Sequence, residues 1–281
     1  MSASLPAAEA PPRRTWRATA LLRGSIAVHA LAGAALLARP AAWPWALGAV
    51  VADHLLISIG GLLPRNRLLG PNMSRLPPGS PPQAVALTVD DGPDPQVTPQ
   101  VLALLEAQGV HATFFCIGSQ VRAHPGLARE ILARGHDVEN HSERHLHRFS
   151  LLGPQSMADE VLRAQESIAA VTGVAPRFFR APAGLRNPFL EPVLARADLQ
   201  LVSWTRRGFD TVRCDAAGIT RRLTRGMAGG DILLVHDGHA ARSAAGTPVV
   251  LGVLPALIQA ISTQGLTCMT LRTACARPGP A

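Results

Sequence analysis

From Ala84 to Thr270 the chain alternates short apolar runs with helix-length segments, and no other feature constrains its fold as tightly. Strand-like runs fall at Ala84–Val89, Ala112–Ile117, His136–Asn140, Phe178–Arg180, Leu199–Trp204, Asp231–Val235 and Leu266–Thr270. Helical spacing and Pro or Gly boundaries predict helices at Thr98–Gln108, Pro125–Arg134, Gln155–Thr172, Pro188–Ala195, Ala216–Met227 and Val249–Gln264. A βα alternation of about seven units predicts an α/β domain, a parallel sheet covered by helices. Closed on itself, that sheet is a distorted (β/α)7-type barrel, with its site on the loops after the strands' C-terminal ends.

Ionisable residues fall on those ends. Val85–Val89 runs into adjacent carboxylates, Asp90 and Asp91, before Gly92 and Pro93 turn the chain. Two ionised carboxylates side by side are costly, so a metal ion or an arginine is expected next to them. His141 and His145 follow the third run, Arg180 ends the fourth, Asp210 lies after the fifth and His236 ends the sixth. A lone Asp-Asp-Gly is more often a polar strand cap. Ionisable residues after five strands on one rim carry more weight.

His141 and His145 are four apart and share a face if their segment is helical. Two surface histidines are the commoner origin of that spacing. With a carboxylate from another strand they become a three-ligand zinc set that leaves a position for water. The ordinary pKa of His236 suits general acid work at neutral pH. Arg180 would pair with an Asp that is not on the metal, so the two carboxylates can divide into ligand and base. His111, His124, His136 and His147 lack such partners in sequence and read as surface or turn residues.

The N-terminal part has a different texture. Residues 1–15 are Ala- and Pro-rich and read as disordered. Two apolar stretches, Ala18–Ala38 and Ala41–Leu63, fill 16–63. Each approaches the roughly 20 residues a helix needs to cross a bilayer. Trp16, Trp43 and Trp45 stand near their ends, as interfacial aromatics do. A cleaved signal peptide accounts only for the first stretch. A buried hairpin in a soluble protein gains some support from Arg23 and Asp53, because charge in a bilayer is costly. A two-helix membrane anchor accounts for both stretches and the tryptophans, and is preferred. Arg13, Arg14 and Arg17 precede the first helix, Arg65 and Arg67 follow the second, and only Arg39 lies between. The positive-inside bias then puts both ends, and the domain beyond, in the cytoplasm. Residues 64–83 read as a Pro-rich linker, 84–274 as the folded domain and 275–281 as a tail.

With 47% hydrophobic residues in 281, the chain can bury a large core. Its +8 formal charge is scattered, with no basic block interleaved with aromatics, which argues against a nucleic-acid partner. Cys116, Cys214, Cys268 and Cys275 show neither a disulfide framework nor zinc-finger spacing.

The ordered motifs resemble those of the NodB-homology polysaccharide deacetylases, carbohydrate esterase family four. They are Thr88-Val89-Asp90-Asp91-Gly92-Pro93, His141-Ser142-Glu143-Arg144-His145, Arg180-Ala181-Pro182-Ala183-Gly184, Asp210, and Leu233-Leu234-Val235-His236. Ala112–Gly118 is similar to the family's second strand, and the resemblance spans roughly Ala84 to Thr270. It implies that Asp91, His141 and His145 hold a divalent metal, most simply Zn2+. It implies Asp90 as general base oriented by Arg180, and the Ala183 backbone N–H as an oxyanion donor. His236 would protonate the leaving amine, with Asp210 orienting it. The implied reaction removes an N-acyl, usually acetyl, group from an amino sugar.

The chain departs from the family where Val89, Leu146, Ala183 and Thr211 stand, usually Phe, Pro, an aromatic and Trp. All the ionisable residues are present, whereas aromatic lining is thin and there is no tyrosine. A cytoplasmic, membrane-anchored member would meet a short lipid-linked glycan; a single signal anchor would instead place the domain outside, on wall or exopolysaccharide. O-acetyl ester or non-sugar amide hydrolysis, and a silent carbohydrate-binding role, are the alternatives in other classes.

Overall fold

A computed structural model describes residues 14–276. Arg13, the rest of the stretch read as disordered up to it, and residues 277–281 of the expected tail lie outside the described residues. The order is α1 (Ala20–Ala38), α2 (Trp43–Leu62), β1 (Ala84–Asp90), α3 (Thr98–Ala107), β2 (Thr113–Cys116), α4 (Gly118–Ala123), α5 (Pro125–Ala133), β3 (Asp137–Asn140), α6 (Pro154–Thr172) and β4 (Phe178–Phe179). Then come α7 (Leu190–Arg196), β5 (Gln200–Leu201), β6 (Arg206–Arg207), α8 (Ala216–Thr224), β7 (Ile232–His236), α9 (Val249–Thr263), β8 (Thr267–Met269) and α10 (Leu271–Ala274).

The sheet runs β5-β4-β3-β2-β1-β7-β6, and β8 pairs with the start of β1. All the pairings are parallel, as the βα alternation predicts. The sheet curls into a barrel with helices outside. β1 lies at its centre and is buried throughout, hence its continuous apolar run. The strand's period of two sorts its side chains. Val85, Leu87 and Val89 join the core under the helices, with Val101, Leu105, Val253 and Leu257. Ala84 and Ala86 face inward, where small side chains leave room for Phe115, Phe178 and Ile232. Continuing that inner row, Thr88 and Asp90 bring a hydroxyl and a carboxylate to the barrel's upper interior.

Three segments differ from expectation. In the run Leu199–Trp204 the strand ends at Leu201; the Val202 N–H still donates to the Phe179 carbonyl at 2.8 Å, while the Val202 and Ser203 carbonyls accept from the Arg180 guanidinium. The short β6, two arginines long, pairs with Leu233 and Leu234. Residues 64–83 are not a free tether. Leu69, Met73 and Leu76 are buried, Met73 bridges to Val202 and Arg75 to Asp231. The segment crosses the gap between β5 and β7.

α1 and α2 pack as a hairpin. No α1 residue is buried within the chain, and α2 buries only Ala46, Asp53, Gly60 and Gly61. Both are long and apolar enough to cross a membrane. The end of α2 meets the domain, where Arg186 N–H donates to the Gly61 carbonyl at 3.1 Å. Pro64 stands so near Gly184 that a Cβ there would lie 2.7 Å from it.

Candidate metal centre and catalytic cleft

β1 and β7 run in register, so Asp90 and His236 are neighbours at the barrel's top. Arg180, at the end of β4, is fully buried and crosses the interior to reach them. Its Nη1 donates to Thr88 Oγ1 at 2.8 Å and to Asp90 Oδ1 at 2.6 Å, and its Nη2 to the Ser203 carbonyl at 3.1 Å. The guanidinium lies 4.0 Å from the Phe115 ring centre. Burial, aided by the Arg207 charge, lowers the Arg180 pKa, and Asp90 acts against it. Asp90 is thereby fixed by one oxygen, while its Oδ2 stands 3.8 Å from His141 Nε2.

His141 and His145 do come together, but not on a helix. Residues 141–145 form a loop in which Ser142 (φ 63°) and His145 (φ 50°) are left-handed. Long-range contacts hold it in place. Buried Glu143 pairs with Arg122 on α4, and the Arg144 N–H and Nε both donate to Glu160 on α6, at 3.0 and 2.6 Å. Ring centroids of His141 and His145 are 4.9 Å apart.

Asp91 completes the group, also from a left-handed position (φ 81°). Its Oδ1 is 3.1 Å from His141 Nε2 and 3.2 Å from His145 Nε2, yet is buried with no hydrogen bond. His141 Nδ1 lies 2.8 Å from the Arg180 carbonyl, which can only accept, so the proton sits on Nδ1 and Nε2 offers a lone pair. A carbonyl on the far nitrogen is how metal-bound histidines are oriented. An orphaned carboxylate oxygen facing imidazole nitrogens fits a divalent ion of the zinc class. Burial and then His141 repulsion hold His145 down at about 4, which keeps it neutral, as a ligand must be. Burial raises the Asp91 carboxyl, but facing His141 and His239 outweigh it and leave it well below the usual range.

His236 closes the cleft. Asp210 is fully buried and accepts from the His236 N–H at 2.7 Å and from Nδ1 at 2.9 Å. Burial would lower the His236 pKa, but the Asp210 bond and charge prevail and raise it. Ala183 lines the same cleft of about 380 Å³ with a left-handed φ of 54°. A larger hollow of about 950 Å³, along 70–82, contains none of the expected site residues.

The cleft also holds residues that the spacing did not single out. His239 Nδ1 lies 2.9 Å from Asp91 Oδ2, and Asp91, His145 and His239 offer three donor atoms within 4.8 Å of one another. The available signal was His-Asp-Gly-His, a second histidine just past a glycine. Trp204 and Arg207 line the cleft, with the guanidinium 5.2 Å from the indole centre, so one aromatic wall exists after all. His147, read as a surface residue, lines it too. His136, read likewise, is buried and accepts from the Ala112 N–H at 3.1 Å. Burial, then His111 and Arg134, lower it to about 4.

A family model described as polysaccharide deacetylase matches residues 78–202, which include Asp90, Asp91, His141, His145 and Arg180. A chitooligosaccharide deacetylase of Bradyrhizobium sp. (strain ANU 289) is 38% identical over 158 residues, covering 56% of this chain and 72% of that one. The peptidoglycan-N-acetylglucosamine deacetylase PgdA of Listeria monocytogenes is 35% identical over 155 residues, 55% of this chain but only 32% of its own length. Among solved structures, a family 4 carbohydrate esterase from Streptomyces lividans, in complex with acetate, is 31% identical with a TM-score of 0.61. It covers 68% of this chain and 95% of its own. A CE4 family pseudoenzyme from Bacillus anthracis has the same fold at a TM-score of 0.65 and 22% identity, covering 73% of this chain and 69% of its own.

Proposed function

This chain belongs to the polysaccharide deacetylase family, and from that premise we propose that it is a hydrolase of the carbon–nitrogen bond in N-acetylated amino sugars. The observation that carries the reading is Asp91 Oδ1, orphaned and facing two imidazole nitrogens. An Arg-clamped Asp90 and an Asp-clamped His236 share its cleft.

Asp91, His141 and His145 would hold a divalent ion, which when bound supplies Lewis acidity that polarises an acyl oxygen and acidifies water. Asp90 is the general base. Arg180 occupies its Oδ1, so Oδ2 is left to take the proton of the attacking water. The Ala183 N–H would donate to the oxygen on which charge develops, a role needing no side chain. His236 then gives its proton to the leaving nitrogen as the C–N bond breaks, and Asp210 stabilises the charged imidazole beforehand. The products are a carboxylate and a free amine.

Chitooligosaccharide or peptidoglycan N-acetylglucosamine is the class suggested by the relatives' names. Within it, a short lipid-linked glycan at the membrane is supported by the seating of α2's end against the turn that carries Ala183. The hairpin is read as a membrane anchor, its exposed Ile26, Leu31, Leu37, Leu47, Leu55 and Leu56 facing lipid, with the domain on the cytoplasmic side. A C-terminal phosphatase fusion tests the side. A fusion active only outside the cytoplasm sinks the lipid-carrier reading and spares the chemistry. Acetate release from N-acetylated and O-acetylated sugars, with and without chelator, tests the reaction. Release from O-acetyl esters alone makes the protein an esterase, and no release from either makes it a binding protein.

A further inference from the structure

We propose that the helical hairpin holds a second divalent transition-metal ion, between His29 on α1 and Asp53 and His54 on α2. These residues sit near the middle of both helices, at least about two turns from either end. Their donor atoms lie within 4.8 Å of one another. His29 Nε2 and His54 Nε2 are 3.2 Å apart. Two nitrogens bound at about 2.0–2.1 Å to a tetrahedral ion stand about 3.3–3.4 Å apart. The spacing therefore suits two ligands of one ion.

The tautomer agrees. His29 Nδ1 lies 2.8 Å from the Ser25 carbonyl, which can only accept. The His29 proton is thus on Nδ1, and a lone pair on Nε2 faces His54. Catalytic His141 is oriented the same way, by the Arg180 carbonyl on Nδ1 with Nε2 toward Asp91. A backbone carbonyl behind the ring, with the outer nitrogen aimed at another donor atom, thus occurs twice in this chain.

Asp53 supplies the charge. It is 6% exposed, accepts from Ser25 Oγ at 2.6 Å and stands 3.8 Å from His29 Nδ1. Among the described residues it has no arginine or lysine partner. A carboxylate buried between two apolar helices is costly unless a cation or strong donors meet it. A divalent ion held by two neutral imidazoles and this carboxylate answers that cost. The position is far from the catalytic cleft in sequence and belongs to a segment outside the family match.

The test counts metal on the full chain in detergent micelles, loaded with Zn2+ and passed through gel filtration. Two zinc per chain are expected. His29→Ala/His54→Ala, and separately the milder His54→Gln, should each remove one. His141→Ala should remove the other. Co2+ loaded into His141→Ala should show the visible absorption of a four-coordinate ion, and lose it when His54→Gln is added. A zinc count unchanged by both hairpin variants, or no Co2+ band in His141→Ala, overturns the proposal and leaves an imidazole–imidazole hydrogen bond only. Loss of zinc with His141→Ala alone would leave the deacetylase reading standing while the hairpin site fell.

Discussion

Asp210 accepts two hydrogen bonds from one residue, His236, through its backbone N–H and through ring Nδ1. The carboxylate thereby fixes the ring's position and raises its pKa against the pull of burial. In the general-acid role proposed for it, His236 must be protonated to act, so the raised value should extend activity toward alkaline pH. Asp210→Asn removes the charge, and burial then dominates. The alkaline limb of kcat/KM should move to lower pH. His236→Ala should lower turnover by about 10²–10⁴-fold, less on substrates with better leaving groups. An unmoved alkaline limb in Asp210→Asn would assign the proton donor elsewhere.

Asp90 and Asp91 are adjacent, and the proposed reading gives them different work, base and ligand. Asp90→Asn should keep its metal and lose turnover, because the ligand set is untouched. His141→Ala should lose both, as should wild type stripped by chelator. Metal analysis beside acetate release checks the pair. Loss of metal in Asp90→Asn would reverse the two assignments.

Arg180 is an interior charge with its partners already in place. Arg180→Leu leaves Asp90 buried and unpaired, a change that costs about 3–5 kcal/mol. Denaturant melts should show that loss. Arg180→Lys keeps a charge but cannot reproduce the forked donors, so it should fold and turn over poorly.

His239 occupies Asp91 Oδ2 and leaves Oδ1 to the other imidazoles. An orienting partner of a ligand is worth about 10–100-fold in metal affinity or activity. His239→Ala should fall in that range and still bind metal. Complete loss of metal would make His239 a ligand in its own right.

What the sequence showed, and what it hid, follows from the range of the interactions involved. Strand and helix periods are local, so the alternation from Ala84 and the rim positions of Asp90, Arg180 and His236 could be read directly. The geometry of His141 and His145 could not. The spacing put them on one face only if the segment was helical, whereas the observed loop depends on Glu143–Arg122 and Arg144–Glu160, contacts between distant segments. Residues 64–83 looked like a tether because prolines dominate, yet Leu69, Met73 and Leu76 among them bury against the barrel. Trp204 was placed in a strand, and only the chain's departure from β5 turns it into the cleft.

Gly92 is required by Asp237. A Cβ at position 92 would stand 2.5 Å from Asp237 Oδ2, a buried carboxylate held by Thr98 Oγ1 at 2.5 Å. Gly92→Ala should destabilise the domain by about 1–3 kcal/mol, the usual cost of overpacking. Thermal unfolding measures it, and a neutral result would mean that the Asp91 turn can shift.

The hairpin's contact with the cleft is testable separately from the chemistry. Gly61 lies directly against the Arg186 carbonyl, and Arg186 Nη2 donates to the Asn66 carbonyl at 2.5 Å. Arg186 closes the turn that begins at Pro182 and carries Ala183. A side chain at Gly61 must push that turn away or undock α2. Gly61→Leu leaves every ionisable residue of the cleft intact. On a soluble chitooligosaccharide its kcat/KM should stay within about threefold of wild type, since less than about 0.7 kcal/mol of transition-state binding is at stake. With the hairpin anchored as proposed, kcat/KM on a lipid-linked glycan in vesicles should fall at least about tenfold, because the cleft would no longer be held at a set distance from the bilayer. Equal losses on both substrates would show that the α2 contact shapes the Ala183 turn itself. No loss on either would mean the anchor tethers the domain without positioning it.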